Sequence, residues 1–185
     1  MCQFHALRLL QGGLMTHGNK AASPEPWLRG TLTDVPAVPR AVLHALELAR
    51  EDIHKWCGGL TDAQLNTRPS GIAPVAFHLR HIAGSLDRLL SYAEGAALTE
   101  SQMAAIHTEL QSGATGEELF AELDAALDRS AARVRRLASA DLGDRRIVGK
   151  KQLPTTLGGL LVHVADHTQR HVGQAITTAK LVASL

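Results

Sequence analysis

Apolar residues recur at helical spacing in four long segments of the sequence, and this periodicity restricts the fold more than any other feature. The segments cover about residues 36–57, 73–94, 116–138 and 155–182, and most of their ends carry glycine, proline or threonine. No β-rich run and no internal repeat interrupts them. Four amphipathic helices bury their apolar faces most simply against one another, so the sequence predicts an all-α four-helix bundle.

The connections contain further local signals. Thr99 followed by Gln102 matches the capping box that begins a helix, and it predicts a short extra helix between the second and third long helices. The letters TDAQL predict another short turn after the first long helix. In the polar connection before the last helix, Arg146–Val148 is the one piece expected to be extended.

Composition sets the class of protein. The chain has 185 residues, of which 45% are hydrophobic, and this suffices for one domain with a proper core. We place that domain at residues 27–185, after a flexible N-terminal segment at residues 1–26 that is rich in glycine and polar residues and in which Met15 is an alternative start. Cys2 and Cys57 lie far apart and outside any Cys-x-x-Cys pair, which favours a reducing compartment, the cytoplasm.

Charge indicates which partners to expect. Nineteen basic residues face 18 acidic ones, so neither nucleic acid nor an anionic membrane is expected as a partner. The arginines between Arg133 and Arg146 alternate with aspartates and lack an aromatic platform, which is typical of a solvated helix end. No stretch approaches the ~20 apolar residues of a transmembrane helix.

The last helix carries three histidines at intervals of four, in the stretch LVHVADHTQRHVGQ. At about 100° per residue, His171 lies within the apolar arc, His167 lies at its edge and His163 lies beyond it. All three cannot bind one ion, because eight helical residues span ~12 Å whereas two nitrogens bound to one zinc ion are at most ~4 Å apart. His167 belongs to either possible pair, and burial favours His171 as its partner.

The second helix offers two candidates for a third ligand, His78 and His81. His78 lies nearer the aliphatic face. His81 belongs to a separate strip whose aromatic residues would be exposed without reason unless the strip borders a polar cavity. The other members of this strip are Phe77, Ser85, Arg88 and Tyr92. The residues alone leave both histidines open.

Two segments resemble the DinB-like (DinB/YfiT) superfamily, which is distinct from the DNA polymerase of the same name. They are HLRHIAGSLDRLL on the second helix and HVADHTQRHVGQ on the last, and the resemblance extends over about Trp27 to Val182. It implies a bundle with an up-down-down-up path and a divalent metal ion, often zinc or nickel, held by three histidines. The matching residues are His81, His167 and His171, so the resemblance favours His81 over His78.

One departure from the pattern concerns the neighbours of the last ligand. Many relatives carry two adjacent histidines and an arginine before the Gly-Gln pair, where this chain has Arg170, His171 and Val172. The ligand is retained and its surroundings differ, which leaves the substrate preference open. The resemblance also implies that homodimers are plausible, because related bundles often pair.

Such a site implies definite chemistry. Three protein ligands leave an open position on the metal ion, where water can be acidified toward a pKa of ~7 or a thiolate can be bound and activated. The resemblance implies either transfer of a low-molecular-weight thiol or hydrolysis. The residues between His167 and His171 include no carboxylate to act as a base, which favours thiol activation. The resulting hypothesis is a metal-dependent enzyme of thiol-transferase or hydrolase type that acts on a small electrophilic substrate.

One alternative accompanies this hypothesis. The protein could instead be a non-catalytic metal-binding bundle, in which the ion serves stability, sensing or assembly. Four further residues are candidate neighbours of the ligands or of the substrate: His78, Arg88, His163 and Gln174. Arg88 could hold an anionic group or form a salt bridge within the bundle, and Gln174 could orient His171 or remain a solvated amide.

Overall fold

Four long helices form the protein, and the prediction of an all-α bundle is confirmed. A computed structural model describes residues 23–111 and 113–185, so most of the predicted N-terminal segment lies outside the described residues. The long helices are α1 (Ala37–Cys57), α3 (Val75–Ala93), α5 (Gly116–Arg136) and α6 (Leu157–Ala183). Two short helices, α2 (Asp62–Asn66) and α4 (Glu100–Thr108), lie in the connections, and single 3-10 turns cover Pro26–Leu28 and Pro69–Gly71.

Local capping determines where several of these helices begin. The predicted capping box at the start of α4 is confirmed, and the same reciprocal pair of hydrogen bonds begins α2 and α5. The pairs are Thr99 with Gln102, Thr61 with Gln64, and Thr115 with Glu118. Each box satisfies backbone N–H groups that the first helical turn leaves without a partner.

A small β-hairpin precedes the last helix. Strands β1 (Arg145–Val148) and β2 (Leu153–Thr156) pair in antiparallel fashion, with Arg145 opposite Thr156. The sequence predicted an extended piece at Arg146–Val148, within the first strand, and did not predict the second strand. Thr156 ends β2, and its side chain also accepts a hydrogen bond from the Gly159 backbone at the start of α6.

Helices α1 and α6 run in the same direction. The Gln169 side chain of α6 donates a hydrogen bond to the Ala45 carbonyl of α1 at 2.8 Å. Eleven residues further along each helix, the Lys180 ammonium group lies 4.3 Å from the ring centre of Trp56. Because both contacts occur in the same order along the two helices, the pair is parallel.

Helices α3 and α5 are also parallel to each other. Arg80 near the start of α3 lies 3.8 Å from Glu122 of α5. Later in both helices, Arg133 lies 2.7 Å from Asp87. This second contact also shows that Arg133 forms an ion pair within the bundle. Arg133 belongs to the arginine-rich segment, from Arg133 to Arg146, that the sequence analysis interpreted as a solvated helix end.

Helix α3 runs opposite to α6. His81 approaches His167, whereas Ala73, before the start of α3, accepts a hydrogen bond from Thr178 near the end of α6. With the two parallel pairs, this gives the path up-down-down-up for α1, α3, α5 and α6. Because α3 and α5 are consecutive and parallel, the chain must return along the bundle between them, and α4 lies in that return connection.

The core is aliphatic and runs along the middle of the bundle. Its largest fully buried side chains include Ile53, Leu79, Leu86, Leu123 and Leu161. Full burial of one such side chain stabilises the fold by about 1.5–3 kcal/mol, so the bundle has a source of stability that does not involve any histidine. Among the described residues, no helix has both the length and the apolar character that crossing a membrane would require.

Candidate metal centre

Three histidines from two helices converge at the contact between α3 and α6. One ring nitrogen from each of His81, His167 and His171 lies within 4.8 Å of the others, and all three residues are half-buried. The two helices are antiparallel, so His81 in the second turn of α3 meets residues in the middle of α6. The arrangement could hold a metal ion, and these are the three residues that the family resemblance indicated.

The closest approach within this cluster joins His81 and His167. Their Nε2 atoms are 3.0 Å apart, which is inside the ~4 Å limit for two nitrogens bound to the same zinc ion. Two imidazole nitrogens at this distance need a proton or a cation between them, because their lone pairs would otherwise repel. The geometry of this pair therefore fits a shared ion.

His78 lies outside the cluster and contacts one member of it. It is only 3% exposed, as its position near the aliphatic face predicted. Its Nδ1 atom lies 3.2 Å from Nδ1 of His171, at hydrogen-bonding distance. This contact occupies one nitrogen of His171 and leaves Nε2 as the nitrogen available to an ion. The structure thus separates the two candidates on α3: His81 joins the cluster, and His78 supports it.

Glu109 is a residue of the candidate site that the sequence reasoning missed. It directly follows α4, is 6% exposed, and accepts a hydrogen bond from Nδ1 of His81 at 2.7 Å. A carboxylate that accepts the outer N–H of a histidine fixes the ring orientation and leaves the other nitrogen free for a metal ion. Met103, Ile106 and Glu109 recur every three residues, and this spacing was the available signal that they share a face of the connection.

Arg88 completes the contacts of this carboxylate. Its Nη1 atom lies 2.7 Å from Oε1 of Glu109, in an ion pair that lacks the alignment of a good hydrogen bond. Both groups lie over Gly84 on α3. A Cβ atom at Gly84 would be 2.7 Å from Nη1 of Arg88 and 2.7 Å from Oε1 of Glu109. The absence of a side chain at Gly84 is therefore what gives the ion pair its space.

Burial favours the neutral form of three imidazoles at the site. Burial, with a further contribution from neighbouring His81, lowers the pKa of His78, His167 and His171 to about 4 in each case. Neutral imidazole is the form that binds a metal ion. Burial raises the pKa of Glu109, but His81 and Arg88 together outweigh it and leave that pKa below its usual value. Glu109 is therefore an anion at neutral pH.

A cavity of about 350 Å³ lies between α3 and α4, beside the histidine cluster. We call it the α3–α4 slot. His81 and His167 form one end of its wall, together with Ser85 and Arg88. The rest of its wall is apolar or aromatic: Leu89, Tyr92, Leu98, Met103 and Ile106. Four of the five residues in the strip predicted to border a cavity line this slot; the exception, Phe77, stacks on His81 with ring centres 5.3 Å apart.

The remaining candidate residues lie further out. His163 is exposed and lies 3.6 Å from Asp166, and its ring centre is 5.4 Å from that of His167. Gln174 is also exposed and lies with His78 on the wall of a second cavity, of about 470 Å³. Neither residue belongs to the histidine cluster, so the structure brings together only part of the set that the sequence indicated.

Comparison with known proteins agrees with the fold. The family model described as the DinB superfamily matches residues 45–175, which is well over half of the chain. The chain belongs to the DinB superfamily. The matched region contains α3, α4, α5 and all three clustered histidines. The earlier identification, made from two short segments, is thereby confirmed.

One solved structure shares this DinB fold. It is described as a conserved protein from Enterococcus faecalis, and it is 22% identical with a TM-score of 0.66. The match covers 81% of this chain and 99% of the other. At that identity the likeness shows the fold alone. A comparison with curated proteins finds no match.

Proposed function

We propose that this DinB-superfamily protein is a metal-dependent enzyme in which His81, His167 and His171 bind one divalent ion, zinc or nickel. The observation that carries the proposal is the convergence of three imidazoles, with one ring nitrogen of each within 4.8 Å of the others, beside a cavity. Both metals accept imidazole ligands. Three protein ligands leave a position open for a reactant, and an open position distinguishes catalytic zinc sites from structural ones.

The protein's own groups hold the ligands in place. Glu109 accepts the Nδ1 proton of His81, which directs Nε2 of that ring toward the cluster. His78 contacts Nδ1 of His171 from the buried side and restrains the rotation of that ring. When bound, the ion would supply Lewis acidity that lowers the pKa of a thiol or of water and so provides a nucleophile near neutral pH.

Thiol activation is favoured over hydrolysis by the contents of the slot. Hydrolytic metal sites commonly use a carboxylate as a general base. Among the described residues, the wall of the α3–α4 slot includes no carboxylate, and nearby Glu109 is already engaged by His81 and Arg88. A thiol, with a usual pKa of about 8.5, needs less assistance to lose its proton than water does. We therefore propose transfer of a low-molecular-weight thiol to a small electrophile, with hydrolysis as the alternative reaction of the same site.

Metal content tests the proposal directly. Elemental mass spectrometry of the untagged protein should find about one zinc or nickel ion per chain, as a single site with three protein ligands requires. His171→Ala should lose the ion. His163→Ala is the matched control on the same helix, because His163 is exposed and lies outside the cluster, and it should retain the ion. Absence of metal from the wild type, even after incubation with divalent ions, would refute the proposal.

The two histidines of α3 permit a second, sharper comparison. His81→Ala removes a proposed ligand, whereas His78→Ala removes only a contact of a ligand. We expect His81→Ala to abolish stoichiometric binding and His78→Ala to weaken it by no more than about 10–100-fold, the usual effect of losing an outer contact. Equal loss of metal in both variants would contradict the assignment of His81. A screen of thiol-transfer and hydrolysis substrates would follow with the metal-loaded wild type.

A further inference from the structure

The α4 helix is attached to the bundle at its two ends and leaves a space beneath its middle. Near its start, the Gln102 amide donates hydrogen bonds to Asp87 at 2.6 Å and to Ser91 at 2.9 Å, both on α3. Just past its end, Glu109 contacts His81 and Arg88. No residue within α4 itself is buried. Polar contacts therefore hold this helix at a distance from α3, and the slot occupies the gap.

The apolar side chains of α4 face this gap without filling it. Met103 and Ile106 line the slot, yet they remain 40% and 39% exposed. Leu98, in the segment before α4, lines the slot as well, opposite Leu89 and Tyr92 of α3. Burial of such apolar side chains away from water is favourable. The volume of about 350 Å³ falls within the range of about 300–1,000 Å³ that is usual for small-molecule pockets.

The charges around the slot indicate what kind of molecule fits it. Among the described residues, Arg88 is the one member of the slot wall with a permanent charge, and Glu109 already neutralises it at 2.7 Å. An anionic group among the apolar side chains, away from the histidine cluster and the ion proposed there, would lose its water without gaining a free cation, which is unfavourable. A cation would meet the same neutral, largely apolar wall. Ser85, Tyr92 and the cluster end with His81 provide the other polar residues of the wall.

We propose that the α3–α4 slot binds an uncharged, predominantly apolar small molecule, the electrophilic substrate of the reaction. This inference rests on the proposed function for the substrate's role, because the slot shares His81 and His167 with the metal centre. The apolar body lies among Leu98, Met103 and Ile106, and the reacting atom points toward the cluster. The slot thus selects substrates that lack charge.

A pair of fluorescent probes tests this selection. N-phenyl-1-naphthylamine is neutral and apolar, and 8-anilino-1-naphthalenesulfonate carries the same ring system with an added sulfonate. We expect the neutral probe to bind the wild-type protein saturably, with one site per chain, and the sulfonate to bind about tenfold more weakly or worse. Equal affinity for the two probes would overturn the charge selection.

Two variants locate the probe. Met103→Asp places a carboxylate in the slot wall and should weaken binding of the neutral probe at least about tenfold, because the charge would be buried against an apolar ring. Ala104→Asp is the matched control, since Ala104 is exposed on the same helix and does not line the slot. Ile106→Trp fills the slot without adding charge and should also weaken binding. Circular dichroism would verify that each variant is folded, as expected for positions that are exposed.

Metal content measured on the same samples separates the two proposals. All three substitutions lie outside the histidine cluster, so each variant should retain the wild-type metal content. Metal in the wild type, with probe binding that is undiminished in Met103→Asp and Ile106→Trp, would overturn the slot and leave the metal centre standing. No metal in the wild type, with probe binding lost in both variants, would refute the proposed function and the substrate role while confirming a binding site for neutral apolar molecules.

Discussion

Glu109→Gln is the substitution that probes the site most directly, because it keeps the shape of the side chain and removes its charge. The carboxylate serves two neighbours at once: Oε2 accepts from His81 at 2.7 Å and Oε1 faces Arg88 at 2.7 Å. A glutamine has one accepting oxygen, and its other terminal atom is a donor. One of the two neighbours must therefore lose its partner, whichever way the amide is turned.

The expected magnitude follows from the burial of the pair. Side chains of Arg88 and Glu109 are 12% and 7% exposed. Removing one partner of a buried ion pair costs about 3–5 kcal/mol, and the residual exposure of Arg88 places our expectation near about 3 kcal/mol of unfolding free energy. A looser His81 ring should weaken metal binding by about 10–100-fold, which corresponds to about 1.4–2.8 kcal/mol.

Two assays separate these effects. Urea denaturation of the metal-free protein measures the change in unfolding free energy, and competition with a chromophoric zinc chelator measures the change in metal affinity. Glu100→Gln is the control, since Glu100 is an exposed carboxylate on α4 and lies outside the site. If Glu109→Gln bound zinc within twofold of the wild type and unfolded at the same urea concentration, Glu109 would have neither role.

Three further outcomes are expected. Gly84→Ala should lower the unfolding free energy by up to about 2 kcal/mol. Overpacking against Arg88 and Glu109 costs about 1–3 kcal/mol, and the gain in helix propensity, about 1 kcal/mol, offsets part of this cost. A variant that is more stable than the wild type in urea titrations would contradict the geometry. In the metal-free protein, His167 and His171 have a pKa of about 4, below the unfolded value of about 6.5, so the unfolded state binds more protons between these pH values. Stability should therefore be constant above about pH 6.5 and fall by up to about 1.4 kcal/mol per pH unit for each histidine as pH drops toward 4; urea midpoints that do not change between pH 7 and 4.5 would refute this. Removing metal with EDTA should leave the far-ultraviolet circular dichroism unchanged, because the core is aliphatic. Adding zinc at 100 times its dissociation constant should raise the unfolding free energy by about 2.7 kcal/mol. Loss of helix on chelation would instead indicate a structural ion.

Much of the fold could be predicted because its determinants are local. The four long helices follow from apolar periodicity, and each of their observed ends lies within two residues of the expected one. Thr99 and Gln102 alone were enough to place the start of α4. The second strand, Leu153–Thr156, was missed because it is defined by its pairing with β1 and has no apolar periodicity of its own.

The contacts of the histidine cluster cannot be predicted from the pattern of a single helix. Angular position correctly made His78 more buried than His81, but burial does not decide which histidine joins the cluster. His81 meets His167 only because α3 runs antiparallel to α6, and the relative shift of two helices cannot be obtained from either helix alone. The same holds for Glu109, which reaches His81 across 28 positions of the chain.

The up-down-down-up path places two tasks on different parts of the chain: holding the proposed metal ligands and forming one wall of the slot. Because α3 and α5 run in the same direction, the chain needs a long return between Ala93 and Gly116, and helix α4 within this return buries none of its residues, so it is not constrained by packing in the core. The proposed ligands lie on rigid core helices, whereas one wall of the slot lies on the return. A designer could therefore exchange residues 94–108 as a cassette and alter which molecules enter, while Glu109 and the three clustered histidines stay in place.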